Sequence, residues 1–264
     1  MHNVHTARID GFEMAYSVFG TGKKTFVILP GVYIQSVTQG TAAVERKFRC
    51  FEDDYTVYLF DRRTQPPEGY DIPAMAEDTV AVMRSLGIEK ADIFGASQGG
   101  MMGLCMAVNH PELVEHLVLG SSAGRIYPAF ESVYETWITL AQGRKRRELA
   151  GHMAERLYSD AILSRHRDYL AALGEEYTDE ELRQFIVMAK GFRSFDVTAQ
   201  LDRIQCPVYV FCSANDNVVT TEASLELAQK LRCDLRVYPP RYRHAVYDEA
   251  DDVVPTMLDY LKYN

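Results

Sequence analysis

The clearest chemical signature in the chain is the motif GASQG at residues 95–99, in which Ser97 stands between two glycines. In this GxSxG spacing a serine occupies a sharp turn between a strand and a helix, and small flanking residues let the turn close with the hydroxyl exposed. The segment ADIF at 91–94 before it suits a strand, and the small and apolar residues that follow suit a buried helix. The N–H of Gln98 would then point towards a developing oxyanion. The motif predicts that Ser97 is a nucleophile.

A second match to this spacing, GSSAG, occupies residues 120–124 and centres on Ser122. It also follows a strand-like run, but Pro128 comes soon after it and prevents a clean helix from continuing out of the motif. We therefore interpret Ser122 as part of a loop, and Ser97 as the nucleophile.

A nucleophilic serine needs a base, and the base needs an acid that orients it. Asp216 follows the apolar run 208–212, and His244 follows the run 235–238. Because the carboxyl ends of parallel strands open onto one crevice, these loops can meet there. Taken singly, Asp216 could cap a turn and His244 could be a surface residue. Their order after these strands favours a catalytic pair.

Other aspartates fit the acid role less well. Asp202 and Asp234 precede their strands and would emerge at the opposite end of the sheet. Asp248 follows the histidine by four residues, where the last helix begins, so we expect its side chain to point away from the imidazole.

Strands and helices alternate along most of the chain, which predicts an α/β fold with a mostly parallel sheet. From 125 to 195 the alternation stops and the pattern is helical. The sequence therefore predicts one α/β body with a helical insertion. Predicted strands are 26–29, 55–60, 91–94, 117–119, 208–212 and 235–238, and predicted helices are 41–51, 73–87, 101–109, 222–231 and 251–262.

The order of Ser97, Asp216 and His244 resembles that of the α/β-hydrolase superfamily. The resemblance implies an α/β-hydrolase fold, with a core domain at 1–124 and 196–264 and a helical cap at 125–195. The run LPGVY at 29–33 stands where that family has its oxyanion-hole turn, with Pro30 in place of a common histidine, and this implies that the Val32 N–H is the second oxyanion donor. The run FDRR at 60–63 resembles the family's Asp-x-Arg-Gly turn without its glycine, and we assign it no role.

The resemblance implies a serine hydrolase that cleaves a small carboxylic ester or related acyl compound through an acyl-enzyme, without a metal or organic cofactor. Tyr33, Tyr134 and Trp137 are candidate walls of the substrate pocket. Two alternatives within enzymes remain: an acyltransferase and a carbon–carbon bond hydrolase. A third is a slow-turnover protein that senses a ligand and retains the triad.

Composition limits the classes of molecule that we expect the chain to bind. The 264 residues carry 28 basic and 37 acidic side chains, so 28 − 37 gives a net charge of −9, which argues against nucleic acid. No run of about 18 apolar residues suggests a membrane span, and the segment 1–10 lacks the apolar stretch of a signal peptide. Five cysteines without a CxxC pair fit a reduced, cytoplasmic setting. His2 and His5 have no third metal ligand in view, so we expect no metal site there. The partner that we expect is a small-molecule substrate, and the sequence leaves the oligomeric state open.

Overall fold

An eight-stranded sheet forms the centre of the computed structural model, which describes residues 4–9 and 11–264; His2 lies outside them. The strand order is β1-β2-β4-β3-β5-β6-β7-β8. Among the strands that the structure describes, only the pairs β1–β2 and β2–β4 are antiparallel. The strands are β1 (Val4–Ile9), β2 (Phe12–Phe19), β3 (Lys24–Leu29), β4 (Tyr55–Arg63), β5 (Ala91–Ala96), β6 (Val114–Gly120), β7 (Val208–Ser213) and β8 (Asp234–Tyr238). The predicted α/β class with a mostly parallel sheet is confirmed.

Ten α-helices accompany this sheet within the described residues. They are α1 (Thr41–Lys47), α2 (Ile72–Ser85), α3 (Gln98–Asn109), α4 (Pro128–Gln142), α5 (Arg146–Leu157), α6 (Asp160–Ala172), α7 (Asp179–Lys190), α8 (Thr221–Leu231), α9 (Val246–Glu249) and α10 (Val253–Tyr263).

Both faces of the sheet are covered, which explains why its inner strands read as continuous apolar runs. Successive residues of β3 enter different cores: Val27 and Leu29 join the cluster beneath α2, α3 and α8, while Phe26 and Ile28 join the cluster beneath α10. Burial on both faces holds the inner strands in place, and the candidate site residues follow the ends of such strands.

Four helices, α4 to α7, lie between β6 and β7 in the segment predicted as an insertion. The two ends of the segment are tied together, because Arg125 and Asp196 form an isolated bridge and the Val197 N–H donates to the Gly124 carbonyl over 2.8 Å. The insertion therefore leaves and rejoins the sheet at one place.

The sequence analysis did not assign the hairpin of β1 and β2. β1 lies at the edge of the sheet and only one of its six residues is buried, and in β2 only three of eight residues are buried, so the apolar pattern of both strands is weak. The helix predicted at 41–51 is shorter, because α1 ends at Lys47 before a 3₁₀ turn, whereas the helix predicted at 251–262 corresponds to α10; the short helix α9 was not predicted. Among the described helices, none has the length and apolarity needed to cross a bilayer.

Candidate active site

Ser97 occupies a strained turn between β5 and α3. Its φ of 50° and ψ of −115° are unusual for a residue with a side chain. The turn closes only because its neighbours are glycines: a Cβ on Gly95 would lie 2.5 Å from the Gly99 carbonyl oxygen, and a Cβ on Gly99 would lie 2.0 Å from that of Leu29. The GxSxG spacing is thus a packing requirement of this turn.

Ser122, the centre of the second GxSxG match, supports the same turn. Its hydroxyl donates to the Ser97 carbonyl over 2.9 Å, and its own carbonyl accepts from the Ser224 hydroxyl over 2.9 Å. A Cβ on Gly100 would lie 2.6 Å from the Ser122 hydroxyl oxygen, so a glycine is needed there as well. Ser122 is fully buried and braces the elbow, a role that the sequence did not indicate.

The structure brings His244 and Asp216 together. Both carboxylate oxygens of Asp216 lie 2.9 Å from Nδ1 of His244, and both side chains are almost completely buried. The Asp216 Oδ1 also accepts the backbone N–H groups of Val218 and Val219 over 2.9 and 3.1 Å. Since an ionised carboxylate only accepts hydrogen bonds, this geometry assigns the imidazole proton to Nδ1 and leaves Nε2 as an acceptor.

Buried hydroxyls fix the loop that carries the histidine. Ser121 donates to the His244 carbonyl over 2.7 Å, and Ser213 donates to the Tyr242 carbonyl over 2.6 Å. One residue further on, the Ala245 N–H donates to the Leu157 carbonyl over 2.9 Å. The loop is therefore attached both to the sheet and to α5 of the insertion.

Ser97 and His244 line one cavity of about 480 Å³. The insertion contributes part of its wall through α4, α5 and the residue that follows α5. Those lining residues are Phe130, Trp137, Met153, Leu157 and Tyr158, and most of the remaining wall is apolar. The cavity can hold a small, largely apolar molecule with one end beside the serine and histidine.

The two predicted oxyanion donors flank the elbow. A Cβ on Gly31 would lie 3.3 Å from the Ser97 Cβ, so the turn before Val32 runs close to the serine, and Val32 itself lines the cavity. Gln98 is the first residue of α3, whose initial N–H groups have no partner within the helix. Both N–H groups are thus carried by segments that meet at Ser97.

The run FDRR, to which the sequence analysis assigned no role, holds these segments in place. Arg62 is 4% exposed, and its guanidinium donates to the Pro30 carbonyl over 2.7 Å and to the Gln98 side-chain oxygen over 3.4 Å. Asp61 accepts the hydroxyls of Tyr33 and Ser36. The partial Asp-x-Arg match pointed to this run, but its arginine is Arg63, whereas the arginine that holds the segments is the middle residue, Arg62.

The three pocket predictions have different outcomes. The ring of Tyr33 lines the cavity while its hydroxyl is engaged with Asp61, and burial raises the pKa of that hydroxyl well above its usual value. Trp137 lines the cavity, and its indole N–H donates to His152 Nδ1 over 2.9 Å.

The prediction that Tyr134 forms part of the pocket wall is wrong, because this residue does not line the cavity. It is fully buried against Phe130 and Phe192, with ring centroids 5.3 Å away from each, and Phe130 is the residue that faces the cavity. A helix stripe of aromatics meets two surroundings here, a packed core and a cavity, and residue spacing alone does not separate them.

Asp248 lines the same cavity as the histidine. Its carboxylate oxygen lies 3.6 Å from Nζ of Lys47, whereas the imidazole of His244 is hydrogen-bonded to Asp216. Asp248 is therefore a cavity residue, and the carboxylate that holds His244 is the predicted one.

Comparisons with known proteins place this geometry in a family. The family model described as "alpha/beta hydrolase fold" matches residues 44–251. The chain is 27% identical over 239 residues to "Putative carbamate hydrolase RutD" of Caulobacter segnis, covering 86% of each chain. It is 22% identical over 261 residues to "3-oxoadipate enol-lactonase 2" of Acinetobacter baylyi, covering 93% of this chain and 96% of that one.

Solved structures share the fold across nearly the whole chain. MGS-M2, an alpha/beta hydrolase enzyme from a Medee basin deep-sea metagenome library, superimposes with a TM-score of 0.88 at 20% identity, covering 98% of both chains. The enol-lactonase of Burkholderia xenovorans superimposes with a TM-score of 0.83 at 21% identity, covering 98% of this chain and all of that one. With its elbow, its strand order and its family match, the chain belongs to the alpha/beta hydrolase fold family.

Proposed function

We propose that the chain is a serine hydrolase that cleaves a small, largely apolar carboxylic ester or a related acyl compound through an acyl-enzyme. One observation carries this proposal: His244, held through Nδ1 by buried Asp216, lines the same cavity as Ser97 on its strained elbow. Nucleophile, base and orienting acid are the arrangement that acyl transfer requires.

The reaction begins when Ser97 Oγ attacks the substrate carbonyl and its proton passes to Nε2 of His244. Asp216 stabilises the imidazolium that forms, and the backbone N–H groups of Gln98 and Val32 bind the oxyanion. The imidazolium then gives its proton to the leaving group as the bond to the carbonyl carbon breaks. Water, deprotonated by His244, attacks the acyl-enzyme and releases the acid and free Ser97.

Cavity size and polarity support a substrate of modest size with an apolar body. The names of the two relatives, a carbamate hydrolase and an enol-lactonase, favour carbamates and lactones as specific subclasses, because both present a carbonyl bonded to a leaving oxygen or nitrogen. We include both subclasses in the proposed substrate range.

A substrate panel on the purified protein tests the proposal. It contains aryl esters of short acids, small lactones and aryl carbamates, each assayed with the wild type and with Ser97→Ala. We expect steady release of acid from at least one subclass and loss of at least three powers of ten in kcat with Ser97→Ala. Turnover that is unchanged in Ser97→Ala would overturn the serine mechanism.

The same panel separates the alternative functions. Addition of a small alcohol diverts product from acid to ester in a transferase, whereas a hydrolase continues to release mainly acid. Tight binding of a panel compound with almost no turnover would favour a ligand sensor and would contradict the proposal.

A further inference from the structure

An ion pair interrupts the apolar wall of the active-site cavity. Lys47 and Asp248 supply the only ammonium, guanidinium or carboxylate groups among the described residues that line it. Lys47 ends α1, and Asp248 lies in α9 on the segment that follows His244. The pair thus joins two elements of the cavity wall.

The two charges are incompletely matched to each other. The Lys47 ammonium donates to the Tyr247 carbonyl and lies 3.6 Å from the Asp248 carboxylate, which is an ion-pair distance but long for a hydrogen bond. The side chain of Asp248 is 49% exposed and that of Lys47 is 27% exposed. Because Asp248 also lines the cavity, carboxylate lone pairs remain accessible to a molecule inside it.

The protein around the pair shifts the pKa values of both groups. Desolvation by the dense protein around the cavity raises the pKa of Asp248 and lowers the pKa of Lys47, and each charge partly offsets this effect on the other. A hydrogen bond to a charged group contributes more than one between neutral groups.

The charges also select what can bind. The Asp248 carboxylate repels an anion that binds beside the pair, and the Lys47 ammonium repels a cation, so neither kind of ion is favoured. A neutral group with both an N–H or O–H donor and a carbonyl or hydroxyl acceptor fits both charges at once, with its donor to Asp248 and its acceptor to Lys47. Apolar groups leave both charges without a ligand partner.

We propose that Lys47 and Asp248 form a specificity subsite that recognises an uncharged hydrogen-bonding group, such as a carboxamide, on the non-reacting part of the substrate. This proposal rests on the proposed hydrolase function, since it assigns the part of the substrate that the serine does not attack. The subsite determines substrate preference and takes no part in the chemistry at Ser97.

Matched esters test it. One set of nitrophenyl esters has acyl chains that end in a carboxamide, an isopropyl, a carboxylate or an ammonium group, each at two chain lengths; a second set has the same end groups on the alcohol side. Isopropyl has nearly the shape of a carboxamide, so the comparison isolates hydrogen bonding. The variant is Lys47→Met with Asp248→Leu, because replacing both members of the pair together leaves neither charge without its partner. The control is Arg46→Met with Asp251→Leu, which changes neighbouring exposed charges that do not line the cavity.

In one of the two sets we expect the wild type to prefer the carboxamide over isopropyl by about 10- to 100-fold in kcat/KM, and to prefer it over both charged groups. The double variant should lose this preference while it still cleaves the isopropyl ester, and the control should keep it. Equal rates for carboxamide and isopropyl in both sets would overturn the subsite, as would a preference for a charged group or a preference that survives in the double variant. An ester without any end group distinguishes the two failures: its turnover upholds the hydrolase when the subsite fails, and no turnover of any ester overturns both.

Discussion

Replacement of Asp216 by asparagine should leave the fold in place and inactivate the histidine. Oδ1 of residue 216 accepts the N–H groups of Val218 and Val219, so the amide oxygen of asparagine must take that position. Its NH₂ group then occupies the position of Oδ2, which lies 2.9 Å from Nδ1 of His244. Oδ1 also lies 2.9 Å from Nδ1, but an NH₂ group at the Oδ2 position repels a proton on Nδ1 and donates to the unprotonated nitrogen. The tautomer with its proton on Nε2 is therefore favoured, and in that tautomer the imidazole cannot take the proton of Ser97.

The expected loss is about 10⁴-fold in kcat, or about 5 kcal/mol of transition-state stabilisation, the size found when the orienting aspartate of a serine protease is replaced in this way. KM should change little, because the carboxylate is buried behind the imidazole and is not part of the cavity wall. The assay is steady-state hydrolysis of a nitrophenyl ester, with the melting temperature measured in parallel to show that the protein remains folded.

The matched control is Asp234→Asn, an aspartate at the start of β8 at the opposite end of the sheet, and it should keep nearly all activity. A kcat of Asp216→Asn within about tenfold of the wild type would refute the assignment of the acid and the tautomer argument together.

Arg62→Met should lower kcat by about 10²-fold with little change in KM, because the guanidinium aligns both segments that carry oxyanion donors, and loss of one donor costs about this much; an unchanged kcat would show that the alignment needs no guanidinium. Ser122→Ala should keep kcat within about tenfold, because the Ser97 carbonyl retains two helix N–H partners, and a larger loss in a folded variant would contradict a supporting role. Trp137 is the only tryptophan, so its fluorescence reports its hydrogen bond to His152. Burial lowers the pKa of His152 below the ordinary value of about 6.5. The unfolded chain therefore takes up this proton at a higher pH than the folded chain does, and the free energy of unfolding decreases as pH falls below about 6.5. We expect a fluorescence step below that pH, absent in His152→Phe; a step that persists in the variant would assign the change to another group.

The residues that the sequence predicted best are those fixed by the local geometry of strand ends. Ser97 could be identified because its flanking glycines are required by contacts shorter than a Cβ permits. Asp216 and His244 could be placed because parallel strands deliver their following loops to one edge of the sheet. Each of these inferences needs only a short segment and the strand before it.

Other parts of the site depend on packing between distant segments. Arg62 reaches Pro30 and Gln98 from a third strand, and nothing in its own neighbourhood in the sequence shows that these partners lie beside it. Tyr134 is a pocket candidate only as one of the aromatic residues of the insertion, and in the structure Phe192, which follows α7, packs against it. The β1–β2 hairpin is absent from the prediction because most residues of both strands are not buried, so neither strand shows the continuous apolar run that marks the inner strands.

Covalent labelling of Ser97 tests the central claim most directly. A fluorophosphonate probe reacts with a serine that has both a base and an oxyanion site, and peptide mass spectrometry identifies the modified residue. The structure predicts one modified serine, Ser97, with labelling lost in Ser97→Ala and strongly slowed in His244→Ala. Labelling of Ser122, or labelling that persists in Ser97→Ala, would contradict the proposed mechanism.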